Sequence, residues 1–349
     1  MASSTSPAVQ TVLGPVAPAT LGATMAHEHV FFDLSIYFSQ AEDDPDAELA
    51  DAPVATERLW WLRTHPMNSR PNLIQDDLDV AIAEVAAFKA AGGTTLVDVT
   101  TLGIAPHPRG LAEVARRTGV QIVAGTGYYV AQSYAAAAGE APVEVLAEHM
   151  RRELLEGIAG TDACAGLIGE LGIGNPPAPV EVRVLAAAAR VQREVGCAVC
   201  LHPVWGADSA LLAARLAEEA GLDPARTAVS HLDNRFRDDV RPYRELGARG
   251  FFLNLDSFGR DCYYPHVNTQ LPSDTERIRA VLDLLDAGLE RRLLFAQDIC
   301  FQHELVRHGG HGYAHVLRSV RPRLLRSGIN GATIDRILVD NPRTWLAGG

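Results

Sequence analysis

Short, almost continuous apolar runs alternate along the chain with longer stretches in which apolar and polar positions recur at helical spacing. The runs are residues 23–32, 94–100, 120–126, 166–172, 198–203, 227–232, 250–256 and 292–298. Such runs suit strands buried on both faces. The intervening Ala/Leu/Glu/Arg-rich stretches, among them 76–91, 143–159, 179–195 and 274–289, have helical length. In the last, Ile278, Val281, Leu282 and Leu285 fall at i, i+3, i+4 and i+7, one face of a helix. Alternation of this kind predicts parallel strands joined by right-handed helical crossovers. Eight such units in 349 residues predict an α/β fold, a (β/α)8 TIM barrel forming a single domain over residues 1–349. A doubly wound open sheet is the alternative, and it usually carries a glycine-rich turn after its first strand. Here Asp33-Leu34-Ser35 follows instead, which favours the barrel.

Two stretches break the alternation. Residues 39–71 are acidic, then rich in Trp and Arg, and read as a long excursion after the first strand. Residues 256–272 carry Phe258, Tyr263, Tyr264, Pro265 and His266 between the seventh strand and its helix. An aromatic loop on the carboxyl end of a barrel strand is expected to wall or cover a substrate pocket.

Composition narrows the class. With 47% hydrophobic residues the chain is too apolar for disorder, yet no apolar run approaches the ~20 residues that cross a bilayer. Residues 1–9 lack both a basic start and an apolar segment, so no signal peptide is expected. Five cysteines (164, 197, 200, 262 and 300) have no paired-looking spacing, which suits free thiols in a reducing cytoplasm. A net charge of −12 argues against nucleic acid or an anionic membrane as partner. A small-molecule substrate and a cytoplasmic location are the expectation.

Candidate chemistry collects where the strands end. His27 and His29 are two apart on the first strand and so share a side; Glu170, His202 and His231 lie near the ends of the fourth, fifth and sixth runs; Asp298 is the last residue of the eighth. In a barrel all these ends surround one mouth. One histidine at a strand end is more often packed than a ligand. Six such groups at strand ends point to a metal site for borderline divalent ions, Zn²⁺ first, with Mn²⁺, Co²⁺ or Fe²⁺ as alternatives. Zn²⁺ usually takes four ligands, so six protein donors indicate two ions with a shared carboxylate.

These residues sit within longer motifs. Val12-Leu13-Gly14-Pro15-Val16 is followed by Leu21-Gly22-Ala23-Thr24-Met25-Ala26-His27-Glu28-His29. Then come Gly169-Glu170-Leu171-Gly172, Leu201-His202-Pro203, Ser230-His231-Leu232-Asp233 and Phe258-Gly259-Arg260. Gln297-Asp298, Gly309-Gly310-His311-Gly312-Tyr313 and Asp340-Asn341-Pro342 complete the series. In this order, over essentially the whole chain, they resemble the phosphotriesterase family of the amidohydrolase superfamily. The resemblance implies a more buried metal on His27, His29 and Asp298, and a more exposed one on His202 and His231. It places Glu170 where the best-known members carry a carboxylated lysine bridging the two ions. A glutamate bridge occurs in one branch of the family, and it makes organophosphate triester hydrolysis an alternative rather than the main expectation. The implied activity is hydrolysis of a small ester, lactone or amide by a hydroxide shared between the ions, with Asp298 taking the nucleophile's proton. The family commonly forms homodimers.

Weaker candidates surround this set. Arg235, four residues past His231, is expected to grip an anion, or else to pair with Asp233, Asp238 or Asp239. Tyr128, Arg260, Tyr263 and Tyr264 are candidate substrate-binding residues. His303, His308, His311 and His315 lack the spacing of a zinc-protease helix and read as loop residues. Cys300 has no identifiable base, and no G-x-S-x-G elbow supports a serine hydrolase. A barrel that binds metal without catalysis, and a metal-dependent isomerase or decarboxylase, are the competing functions.

Overall fold

Eight parallel strands follow one another around a single sheet, each bonded to its neighbours in sequence: β1 (Thr24–Glu28), β2 (Thr95–Asp98), β3 (Gln121–Thr126), β4 (Leu167–Ile173), β5 (Ala198–Pro203), β6 (Thr227–Val229), β7 (Phe252–Leu255) and β8 (Leu293–Phe295). This computed structural model describes residues 8–40, 46–235 and 239–348, apart from the side chains of Ala136, Ala137 and His266. Between the strands run α1 (Leu78–Ala90), α2 (Pro108–Thr118), α3 (Val143–Leu155), α4 (Pro179–Val195), α5 (Ala207–Ala220), α6 (Arg241–Ala248) and α7 (Asp274–Asp286). The predicted TIM barrel is therefore present. Among the described residues no helix is long and apolar enough to cross a membrane.

The strand runs are apolar throughout because each strand meets a core on both faces. Leu96, Ile122, Val199, Val229 and Leu253 pack outward against the helices. Val97, Val123, Ala198, Cys200, Ala228 and Leu294 fill the barrel interior, joined by Val9, Leu21 and Trp345. Consecutive residues thus alternate between two hydrophobic cores.

The ring closes without a regular ladder between β8 and β1. Instead the buried carboxylate of Glu28 accepts the backbone N–H groups of Gln297 (2.7 Å) and Ile299 (3.1 Å), while Asp298 N–H donates to the His27 carbonyl at 3.2 Å. A side chain does here what a strand neighbour would do.

The two irregular stretches take definite shape. Part of 39–71 forms 3₁₀ turns and a short helix, Leu59–Leu62, in which Trp61 is buried while Trp60 is exposed. The aromatic loop after β7 makes a small antiparallel hairpin, Tyr263–Tyr264 against Thr269–Gln270.

Candidate metal centre

Two strands need a local fault to aim a donor inward. On β1 Met25 faces the helices and Ala26 the interior, and an irregularity in the β1–β2 register follows between Met25 and Glu28. On β4 Leu167 faces inward and Ile168 outward, and the register with β5 shifts between Ile168 and Leu171. Bulges of this kind re-aim side chains beside functional sites. The β4 fault demands glycine: Gly169 has φ +124°, and a Cβ there would lie 2.4 Å from the Cys200 carbonyl oxygen. His231 and Asp298 turn in differently. Each lies just past its strand in a left-handed conformation, φ 60° and 52°, a strain that surrounding bonds must hold.

The six predicted donors converge. His27 Nε2 lies 3.1 Å from Glu170 Oε2 and 3.5 Å from Asp298 Oδ1. His29 Nε2 lies 3.4 Å from Glu170 Oε1 and 3.3 Å from Asp298 Oδ1. On the far side of Glu170, His202 Nδ1 is 2.8 Å and His231 Nε2 3.7 Å from Oε2, and those two nitrogens are 2.7 Å apart. Glu170 therefore lies against all four imidazoles, three of them at Oε2. His27 is fully buried and His202 the most open of the four imidazoles, while His29 and His231 are buried to a similar degree.

Each inner histidine is oriented by a partner on its other nitrogen. His231 Nδ1 meets Asp256 Oδ1 at 3.0 Å, and the same carboxylate accepts the His231 backbone N–H, which pins the left-handed turn. His27 Nδ1 faces Ser230 Oγ at 3.0 Å, and His29 Nδ1 faces Thr100 Oγ1 at 2.9 Å. The remaining Nε2 atoms point at the centre, and that of His27 is buried with no hydrogen-bond partner. A buried nitrogen lone pair without a donor, among nitrogens and carboxylates, fits divalent ions of the zinc type.

Electrostatics keep the carboxylates charged. Burial raises the pKa of Glu170, but His202 and His27 outweigh it and hold the carboxyl well below its usual range. Burial likewise opposes the charge of Asp298, and Arg260 with His29 overrides it, so the pKa falls. Burial disfavours His29 imidazolium, yet bonds to Asp298 and Glu170 raise its pKa to about 10. Arg260, itself buried, donates from Nη1 to Asp298 Oδ2 (2.8 Å), from Nη2 to the Asp298 carbonyl, and from Nε to Glu304 Oε1 (2.5 Å).

Above the donors opens a cavity of about 490 Å³, lined by Tyr37, Tyr129, Trp205, Arg235, Tyr264 and Phe301 among others. Arg235, Arg260 and Tyr264 were expected there; Tyr128 and Tyr263 lie elsewhere. The Tyr128 ring packs in the outer layer against Tyr134 and His149, while Tyr129 faces inward, 4.8 Å from the His202 ring and bonded to the Tyr37 hydroxyl at 3.1 Å. Tyr263 spends its hydroxyl on Asn268 within the hairpin. Of the three aspartates proposed as alternative partners of Arg235, Asp238 lies outside the described residues, and no ion pair to Asp233 or Asp239 forms.

Asp256 is the main omission from the sequence reading. It ends the seventh run as Asp298 ends the eighth, so the signal was present. The later histidines stay apart from the centre: His303 bonds Asn72 and His315 bonds Asp274. Cys262, His303 and Glu304 also group closely, but Glu304 is occupied by Arg260. Burial pushes the Cys300 thiol well up, so it remains protonated.

Comparison with known proteins gives matches over nearly the whole chain. The profile of the Phosphotriesterase family matches residues 7–346. An N-acetyltaurine hydrolase of Salmo salar is 38% identical over 342 residues, 97% of each chain. The solved structure of a resiniferatoxin-binding protein from Rhodobacter sphaeroides superimposes with TM-score 0.94 at 38% identity, covering 98% of this chain and 95% of that one. A mutant phosphotriesterase-like lactonase of Deinococcus radiodurans gives TM-score 0.75 at 29% identity, covering 97% of this chain and 99% of the other.

Proposed function

Because the chain belongs to the phosphotriesterase family and is a hydrolase, we propose that it cleaves a small N-acyl amide at a centre of two divalent metal ions. The ligands are His27, His29, Glu170, His202, His231 and Asp298, with Zn²⁺ the first candidate and Mn²⁺, Co²⁺ or Fe²⁺ the alternatives. One observation carries the reading: four imidazoles converge on Glu170 and Asp298, with the buried Nε2 of His27 making no hydrogen bond among the described residues. The choice of an amide rests on the relatives named for N-acetyltaurine hydrolysis, which match this chain almost end to end. A lactone offers the same carbonyl and is the second substrate class, favoured by the lactonase neighbour. The chain is read as one catalytic domain acting on a small molecule.

Bound ions would supply Lewis acidity at the carbonyl oxygen and a water acidified enough to act as nucleophile near neutral pH. The protein's part follows from its own groups. Arg260 keeps Asp298 anionic and fixed, so Asp298 can accept the nucleophile's proton and return it to the departing amine nitrogen. Asp256 holds His231 with Nε2 toward the centre, and Glu170 presents Oε2 to His27, His202 and His231 and Oε1 to His29. Tyr129, Trp205 and Phe301 limit water around the reacting carbonyl.

The test is elemental analysis of the purified chain and its Glu170→Ala variant, beside amide hydrolysis before and after chelation. About two equivalents of metal are expected in the wild type, clearly fewer in the variant, with hydrolysis lost on chelation and restored by metal. Less than about half an equivalent after reconstitution would overturn the proposal.

A further inference from the structure

The charged side chains lining the cavity can be accounted for one at a time. Glu170 and Asp298 belong to the donor set, and Arg260 is spent on Asp298 and Glu304. Glu181 is buried, and its carboxylate accepts the backbone N–H groups of Ala131 (3.3 Å), Gly174 (2.9 Å) and Ala178 (2.8 Å). It ties the loops after β3 and β4 together and presents no free charge to a ligand. Arg235 is left. It is exposed, shares the cavity wall with His231, Trp205 and Val267, and donates from Nη2 to Thr269 Oγ1 at 3.2 Å. Among the described residues no carboxylate pairs with it. A guanidinium has five N–H donors, and this one uses a single bond to a neutral hydroxyl.

Resting on the reading of the site as an amide hydrolase, we propose that Arg235 receives an anionic group, a sulfonate or carboxylate, on the amine side of the scissile bond. The substrate class is then an N-acyl amide of an amino-sulfonic or amino-carboxylic acid. Three features support this choice over an uncharged amide. The forked guanidinium matches the flat array of anionic oxygens in such a group. The rest of the wall is largely apolar, with Leu34, Met67, Val130, Ile173 and Phe301 suited to an acyl chain. The chain as a whole carries −12, so its surface repels anions, and a cation at the cavity with no carboxylate partner among the described residues reverses that locally.

Solvent reaches Arg235, so the preference should be moderate and should weaken with salt. The experiment compares kcat/KM for an N-acyl taurine and the matching N-acyl ethanolamine, in which a neutral hydroxyl replaces the sulfonate. Wild type and Arg235→Gln are measured at low and high ionic strength. The expected result is a wild-type preference for the sulfonate of about tenfold, carried by KM, that shrinks in high salt and mostly vanishes in Arg235→Gln. Reversal to a preference for the ethanolamine in Arg235→Glu would strengthen the case. A ratio unaltered by Arg235→Gln, with both amides still hydrolysed, overturns the assignment and leaves the amide reading intact. Calorimetric binding of the N-acyl taurine to the metal-replete wild type and to Arg235→Gln tests Arg235 without turnover. Should wild type bind the sulfonate through Arg235 yet cleave neither amide, the amide reading fails and the anion site stands.

Discussion

At the scale of single residues, the centre depends on groups that never face the cavity. Asp256 faces His231 Nδ1 at 3.0 Å and accepts the His231 backbone N–H, and its carboxylate also lies 3.4 Å from His27 Nδ1, which Ser230 orients. Replacing Asp256 with Asn preserves size but removes the charge that favours donation from His231 Nδ1. Outer-sphere changes of this kind typically cost about ten- to a hundredfold in metal affinity, and competition with a chromophoric chelator should find a loss of that order. Unchanged affinity would mean that packing alone orients the His231 ring. The six donors were legible in the sequence because each lies in or near the end of an apolar run and a barrel gathers those strands around one mouth. Tyr129 was legible too but passed over: steps of two from the inward Val123 reach residue 129, whereas the outward Ile122 and Ala124 lead to Tyr128. The Arg260–Glu304 pair could not be read, since 44 residues separate its members.

Among the elements, the predicted strands overran the observed ones at the mouth for a reason tied to function. The sixth run extends to residue 232, yet β6 ends at Val229; the eighth extends to Asp298, yet β8 ends at Phe295. In both cases the last residues leave the ladder and turn left-handed to bring His231 and Asp298 inward. The apolar pattern shows the run but not the φ change. Loops beyond these ends are fastened by α7, capped by Ser273 and Glu276. Its first residue, Asp274, accepts Gly259 N–H at 2.8 Å, His315 Nε2 at 2.6 Å and Arg323 Nη1 at 3.4 Å, joining the β7 loop to the carboxyl-terminal helices. Burial opposes its charge, but the bond to His315 and neighbouring donors lower its pKa from 3.8 to about 2. A folded-state pKa below the unfolded value adds stability that is present above about pH 4 and is lost as pH falls through about 2. Asp274→Asn should therefore cost about 2 kcal/mol in urea unfolding at pH 7. The gap should narrow only below about pH 4; a constant gap down to pH 3 would assign the loss to packing rather than charge.

For the whole molecule, the mouth concentrates buried acids from almost every strand. Glu28, Asp98, Glu170, Asp233, Asp256 and Asp298 are all buried, and two buried arginines, Arg260 and Arg277, pair with Asp298 and Asp233. Glu28 and Asp98 are engaged by backbone N–H groups, and burial, against those bonds, raises the pKa of both. That leaves Glu170, Asp256 and the four imidazoles to share protons or to share cations. The same donors come from β1, β4, β5 and the ends of β6 and β8, and the β1–β8 seam closes through a side chain rather than a ladder. Metal bound there would tie the seam to the opposite side of the barrel. A ligand that binds the folded chain alone stabilises it by RT ln(1 + [L]/Kd), about 2.7 kcal/mol per site at a hundred times Kd. Metal removal should thus lower the unfolding temperature by several degrees, and the midpoint should climb with the logarithm of free metal. Glu170→Gln, which removes the charge facing the four imidazoles, should flatten that climb, and it should also lower the chelated midpoint because His202 and His27 favour the ionised carboxyl in the folded chain. Calorimetric scans of both chains across a metal-buffer series decide the matter. Identical midpoints with and without metal would show that the barrel is complete without ions, and that the strand-end acids are balanced by protons alone.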